Sequence, residues 1–169
     1  LRPGSARSLD ATSRSPVFRT PKSLFRTLAI AEVISWTLLI TGLILRATTG
    51  WALGVTIGGG IHGFIFLSYA ATALLVAIHQ RWSFPVAFLA IVAAIVPYAT
   101  LPVEIWLQRS GRLEGAWRLD ATDDPRDARW FDRLMRWFLR RPWVLGVIIA
   151  AAVVLIFVVL LTVGPPGGK

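Results

Sequence analysis

Four ionisable residues fall within or at the ends of long apolar stretches of this 169-residue sequence: Glu32, Arg46, His62 and Glu104. A charged or polar group in hydrocarbon is costly without a partner, so each marks a candidate clasp, ion path or binding site. Counted along ideal helices, Glu32 lies about 12 Å into a span starting at Leu24, and His62 about 14 Å in from the opposite face if its helix starts at Leu53. Their levels then differ by about 4 Å in a core of about 30 Å, close enough for a hydrogen bond; a start at Ile57 widens the gap to about 10 Å. The bland reading is a structural clasp between two helices, and the sharper one a proton relay, which needs more polar groups than the neighbouring span supplies. Arg46 and Glu104 are expected at one outer interface, where an ion pair would tie the first and third spans; snorkelling to headgroups is the alternative for Arg46.

Enzymatic chemistry finds no footing in these residues. There is no Cys, and the two His, His62 and His79, are about 25 Å apart on one helix, too far to ligate one haem. A metal centre would lack ligands, and paired carboxylates would have to work in lipid. The expectation is a non-enzyme with no cofactor and no metal.

The most specific local pattern is Gly58-Gly59-Gly60-Ile61-His62-Gly63, with Gly54 four residues before Gly58. Gly54 and Gly58, and Gly59 and Gly63, form two small-xxx-small pairs, which let another helix backbone approach closely where lipid removes the hydrophobic drive. A ligand-cradling loop is the weaker reading. No strand precedes these glycines and no Lys-Ser or Lys-Thr follows, so they match neither a P-loop nor a dinucleotide fingerprint.

The elements that must hold these residues follow from composition. Apolar residues make up 55% of the chain against 16% charged, and they are concentrated in four long blocks, which implies membrane spans. The blocks run from Leu24 to Leu45, from Leu53 or Ile57 to Ile78, from Phe84 to Leu107 and from Val144 to Val163. The first is about 33 Å long as a helix, carries Glu32 and lacks a small-x-small cleavage site, so it reads as a span and not a signal peptide. Pro85, Pro97 and Pro102 predict a kinked third helix. The fold class is an all-α integral membrane protein with four transmembrane helices plus one interfacial amphipathic helix. The divisions are a basic tail over 1–22, a three-span domain over 23–107, a basic loop over 108–142, a fourth span over 143–163 and a C-terminal tail over 164–169.

A net charge of +9 on such a chain reports loops against anionic lipid more readily than nucleic acid. Sixteen of the eighteen cations are Arg, a bias typical of a GC-rich bacterial genome. The Pro-broken tail has almost nothing to bury and is expected to order only on a partner or a lipid surface. In the loop, residues 126–141 read as a helix with Trp130, Leu134, Trp137 and Phe138 on one side and Arg129, Arg133, Arg136 and Arg140 mostly on another. Such a helix lies in the headgroup plane; packing on the protein's own loops is the plainer alternative. Orientation is contested, because the tail and the loop are both cation-rich yet three crossings apart. The tail is placed in the cytoplasm, since it adjoins the first span and holds only one acid, Asp10. A third segment re-entering at Pro97 would remove the conflict.

Arg26, Glu32, Ser35 with Trp36, His62 with Gly63, and Pro97 together resemble an uncharacterised family of small bacterial integral membrane domains with three predicted spans and a central His-Gly pair. The resemblance covers about Leu24 to Leu107 and implies no activity; the basic loop and fourth span lie outside it. In size the chain is similar to accessory subunits of respiratory cytochrome oxidase supercomplexes, a similarity of type without a shared motif. The function expected is a non-catalytic accessory or assembly subunit of a larger complex in the bacterial plasma membrane. A small solute or proton carrier using Glu32 and His62 is the alternative.

Overall fold

The computed structural model describes residues 20–121 and 123–163; most of the basic tail and the residues after Val163 lie outside them. Helix α1 spans Pro21–Thr49. Its start is fixed by Thr20, whose side chain accepts the Ser23 N–H while the Ser23 hydroxyl accepts the Thr20 N–H, with Pro21 supplying a preset φ at the first helical position. It ends on Gly50 at φ 75°, where the left-handed turn returns an N–H to the Arg46 carbonyl. Helix α2, Leu53–Gln80, then runs back along it. The two are long and apolar enough to cross a membrane.

Their contact is backbone on backbone. A Cβ added to Gly42 would lie 2.6 Å from the Gly54 carbonyl oxygen, and one added to Gly58 would lie 2.9 Å from that of Leu38. Gly54 and Gly58 therefore pack against α1, with Gly42 as the counterpart that the sequence reading omitted. Among the described residues the other pair makes no close backbone contact: Gly59 meets only the Leu39 side chain, at 3.9 Å, and Gly63 meets nothing within 4 Å.

The third apolar block departs from expectation. It forms two short helices, α3 (Phe84–Val92) and α4 (Thr100–Arg109), about 14 and 15 Å long, and neither can span the hydrocarbon core alone. Pro97 offers no N–H and excludes helical geometry at Val96, and Tyr98 takes a left-handed φ of 66°, so the chain turns back instead of kinking onward. Hydrogen bonds fix the path. Ala90 accepts from the Tyr69 hydroxyl, and Ala94 from the Trp36 indole, midway along α1. Thr100 then donates to the Ala29 carbonyl, lower on α1, and Arg112 accepts from Trp82, just past the end of α2. Both ends of the α3–α4 hairpin thus lie at one end of the α1–α2 pair, with its tip near the middle. Phe25, Tyr69, Val76, Ala90, Leu107 and Leu113 form the core around it.

Residues 110–121 strap the same end. Arg118 donates to the carbonyls of Ile78 and His79, two of the last acceptors of α2, and its guanidinium stands 3.5 Å from Asp132. A 3₁₀ turn, Pro125–Ala128, leads to α5, Trp130–Arg140. The chain bends by 97° into α6, Pro142–Val163, which packs on α2 and α5. The bent α5–α6 pair is a third candidate span beside α1 and α2, so the four continuous crossings expected from the sequence become two clear ones, or three.

The close approach at Gly42 gives a direct test. Gly42→Ala should lower stability by about 1–3 kcal/mol, the usual cost of overpacking, whereas Gly63→Ala should change it little. Thermal unfolding of the two variants in mild detergent reads the difference.

Candidate functional site

Glu32 sits on the buried stripe of α1, which includes Phe25, Ala29, Glu32, Ser35 and Gly42 at helical spacing. Four residues of α2 separate Gly58 from His62, so the glycine contact sets the level at which His62 meets α1. The structure brings His62 Nδ1 to 4.0 Å from Glu32 Oε1, too long for a hydrogen bond, and places Ser35 between them. The Ser35 hydroxyl is 3.0 Å from His62 Nδ1, 2.9 Å from the Glu32 carbonyl oxygen and 3.4 Å from Glu32 Oε2. One hydroxyl proton cannot serve three acceptors; given to the Glu32 carbonyl, it leaves Ser35 Oγ able to accept the Nδ1–H of His62. The bond between the helices is therefore Ser35–His62, and the Glu32 carboxyl lies beside it, 3.4 Å from Ser35 Oγ and 4.0 Å from His62 Nδ1.

Trp36 closes the other side. Its ring lies 4.4 Å from the imidazole, centroid to centroid, while its indole N–H holds the Ala94 carbonyl. The adjacent residues Ser35 and Trp36 thus link His62 to the hairpin tip.

Glu104 belongs to this buried region and not to Arg46. Thr100 touches α1 at Ala29, and Arg46 lies 17 residues further along α1, about 25 Å away. The ion pair expected between Arg46 and Glu104 is not formed: Arg46 is exposed at one end, while Glu104 is fully buried in the half nearer the N-terminus of α1. The expectation assumed a third segment that crosses, and the reversal at Pro97 and Tyr98 removes that assumption. Helical side chains lean toward their own N-terminus, so on antiparallel α1 and α4 the carboxyl groups of Glu32 and Glu104 lean toward the shared level of Ala29 and Thr100. The buried Tyr69 hydroxyl of α2 donates to the Ala90 carbonyl at 3.0 Å. Glu32 Oε1 and Glu104 Oε1 are buried with no hydrogen-bond partner among the described residues. Tyr69 and Thr100 were absent from the sequence reading; their signal was a hydroxyl within an apolar block.

The residues expected at the membrane surface lie on α5, with the polar side of the helix turned inward. Asp132, Met135 and Arg136 are buried against the protein, while Trp130, Leu134 and Trp137 are exposed and Phe138 is half-buried. Arg133 is exposed, and Arg140 holds the Leu119 carbonyl and Asp120, each at 2.9 Å. The helix therefore turns much of its aromatic face away from its own protein. Among the described residues no group of three His, Cys, Asp or Glu side chains could hold a metal ion.

Comparison with known proteins fits this division of the chain. The family model for the domain of unknown function DUF3817 matches residues 22–109, more than half of the sequence. The chain belongs to the DUF3817 family. The matched region is α1 through α4, so the DUF3817 domain includes the Ser35 clasp, the glycine contact and the hairpin, whereas the strap, α5 and α6 lie beyond it. A Streptomyces coelicolor membrane protein is 39% identical over 93 residues, covering 53% of this chain but only 11% of that protein's length. No solved structure matches.

Replacing Glu32 separates structural from proton-exchanging roles. As a clasp, Glu32→Gln keeps a polar partner and should be tolerated, whereas Glu32→Leu should cost about 1–2 kcal/mol. Thermal unfolding of both, with a Glu32→Leu/His62→Leu double mutant, measures the coupling; a value near zero would remove the clasp.

Proposed function

We propose that this membrane protein is a non-catalytic accessory or assembly subunit that docks on a larger bacterial membrane complex. The observation that carries this reading is the unspent half of α2. Over residues 53–68 only Gly58 is buried, while Ile57, Ile61 and Phe64 are exposed beside the unoccupied Gly59 and Gly63. Small residues flanked by exposed apolar side chains are what a second membrane helix packs against. In the much longer Streptomyces coelicolor relative the similar segment makes up 11% of the chain, so it occurs there joined to further sequence.

The membrane arrangement proposed is three crossings, α1, α2 and α6, with α3–α4 re-entering from the side of Lys22. This answers the charge conflict. Lys22, Arg26, Arg81, Arg109, Arg112 and the cations of α5 then share one face, the cytoplasm by the positive-inside rule, and Arg46 is left on the other. The non-helical backbone at the hairpin tip sits where lipid alone could not support it; bonds from Trp36 and Tyr69 to its carbonyls help supply the support.

Two experiments test the proposal. The chain has no Cys, so single reporters at Ser110 and Thr49 can be labelled cleanly with an impermeant maleimide. Ser110 should label from the same side as Ser23 and Thr49 from the opposite side; labelling of Ser110 together with Thr49 would restore a full third crossing. Gentle extraction followed by native gel and mass spectrometry should place the protein in a large heteromeric band, which deletion of residues 1–22 weakens without loss of insertion. Migration alone or as a homo-oligomer would count against an accessory role.

One observation favours the second reading, a small carrier: the two buried carboxyl oxygens of Glu32 and Glu104 that lack partners. In reconstituted vesicles a carrier would dissipate an imposed pH gradient, and Glu32→Gln would stop it as fully as Glu32→Leu, because an amide cannot exchange the proton.

A further inference from the structure

The tip of the α3–α4 hairpin carries backbone groups that nothing in the bundle serves. Trp36, which holds the Ala94 carbonyl, is about 22 Å along α1 from Pro21 and about 20 Å from Thr49, so the tip lies at hydrocarbon depth. Ile95 and Val96 are 60% and 52% exposed there, and Pro97 and Tyr98 are exposed beside them. Among the described residues no hydrogen bond reaches the carbonyls of Ile95, Pro97 and Tyr98, and none uses the N–H of Val96 or Tyr98. The donors Trp36 and Tyr69 serve Ala94 and Ala90 and leave this outermost turn unserved. Non-helical backbone at such depth is tolerated only where protein buries it or water lines it.

His62 adds a side-chain acceptor at the same place. Its ring lies 4.4 Å from that of Trp36, and the next residue of α1, Thr37, has its hydroxyl 3.4 Å from the Tyr98 hydroxyl, so His62 and the tip are neighbours. With Nδ1–H given to Ser35, the imidazole keeps its lone pair on Nε2. No hydrogen bond among the described residues uses Nε2, and the side chain retains 12% exposure. The surface of α2 around it is bare. Gly59 and Gly63 lie within about 100° of His62 around the helix, and a Cβ on Gly59 would meet only the Leu39 side chain while one on Gly63 would meet nothing within 4 Å. The result is a notch beyond the hairpin tip, floored by glycine backbone and edged by polar groups without partners.

We infer that this notch receives a membrane helix of the partner complex, one that presents a hydroxyl or carboxamide side chain to the hairpin tip and to His62 Nε2. Such side chains both donate and accept, which the unpaired C=O and N–H groups of the tip require, and the glycine floor lets the incoming helix approach closely enough to reach them. Ile95 and Val96, exposed at the edge, favour a helix over a water-filled vestibule, since apolar walls stay dry. The inference rests on the accessory reading and on the re-entrant hairpin, and it adds where the partner docks and what chemistry it brings.

The test uses the full chain in its native membrane. Val96→p-benzoylphenylalanine, irradiated before gentle extraction, should cross-link to a second protein, at a membrane-spanning segment and within about one turn of Ser, Thr, Asn or Gln. Gly63→Leu fills the notch while meeting nothing in its own chain, so it should cut the share of protein in the heteromeric band at least about tenfold with Tm unchanged. Gly146→Leu, equally open but on α6, should leave both as they are. A Val96 adduct only to lipid, or to another copy or segment of this chain, would overturn the inference, as would a cross-linked segment without a hydroxyl or carboxamide. Labelling of Val96→Cys by impermeant maleimide in native membranes, as fast as Thr49→Cys, would overturn it in favour of water. Should Gly63→Leu fail to fold, the Val96 cross-link still decides. A heteromeric band without a Val96 adduct would overturn the notch and leave the accessory role standing, whereas the absence of any such band would overturn the accessory role and the notch with it.

Discussion

The approach of α1 to α2 at Gly42, Gly54 and Gly58 is the constraint on which the rest of the structure depends. In lipid two apolar helices gain little from hiding side chains from one another, so association relies on van der Waals contact and polar bonds across the interface. At Gly42 and Gly58 the facing backbone is so close that a Cβ would clash with it, and Gly54 supplies the backbone that Gly42 meets. That contact fixes the register of the pair, and the register decides which polar groups meet. Gly58 against Leu38 places His62 one turn further along α2 beside Ser35, one turn back along α1. The Ser35 bridge is thus a consequence of backbone packing, which it then reinforces.

The α3–α4 hairpin depends on the same pair from the other side. A chain that reverses inside an apolar bundle leaves carbonyls without helical partners, and each must find a donor or be left at a cost. Trp36 and Tyr69, one from each long helix, donate to Ala94 and Ala90, and Thr100 donates back to Ala29 on α1. These donors are spread over α1, α2 and α4, so the hairpin can be held only when all three are in place. Proline and a left-handed tyrosine turn the chain, and side chains far away in sequence make the turn tolerable.

At the end of the bundle the strap plays a different part. Arg118 satisfies carbonyls at the end of α2 and reaches toward Asp132 on α5. The buried side of α5 is therefore partly polar, and its aromatic residues face outward. With Asp132 and Arg136 turned inward, Trp130, Leu134 and Trp137 are left exposed on the outer side of α5.

The sequence by itself determined the helical, membrane class, the two long helices and a small-residue face at Gly54 and Gly58. These follow from local quantities: apolar run length, the spacing of Gly54 and Gly58, and a fixed rise per residue that converts sequence number into depth. It left open whether Glu32 and His62 meet, because that depended on where the second helix begins. The presence of a break in the third block was legible at Pro97, whereas Pro102 falls in the first turn of α4, where a missing N–H is tolerated. Only the tertiary structure decided what that break does. A proline permits either a kink or a reversal, and the choice rests on whether Ala90 and Ala94 find donors on α1 and α2, which no local pattern states. The fate of Glu104 follows from that choice: on a crossing helix it would have reached Arg46, and on a returning one it is buried near Glu32. Ser35 as the bridge was decided the same way, since a serine shows its partner only when the register of two helices has fixed what lies opposite it.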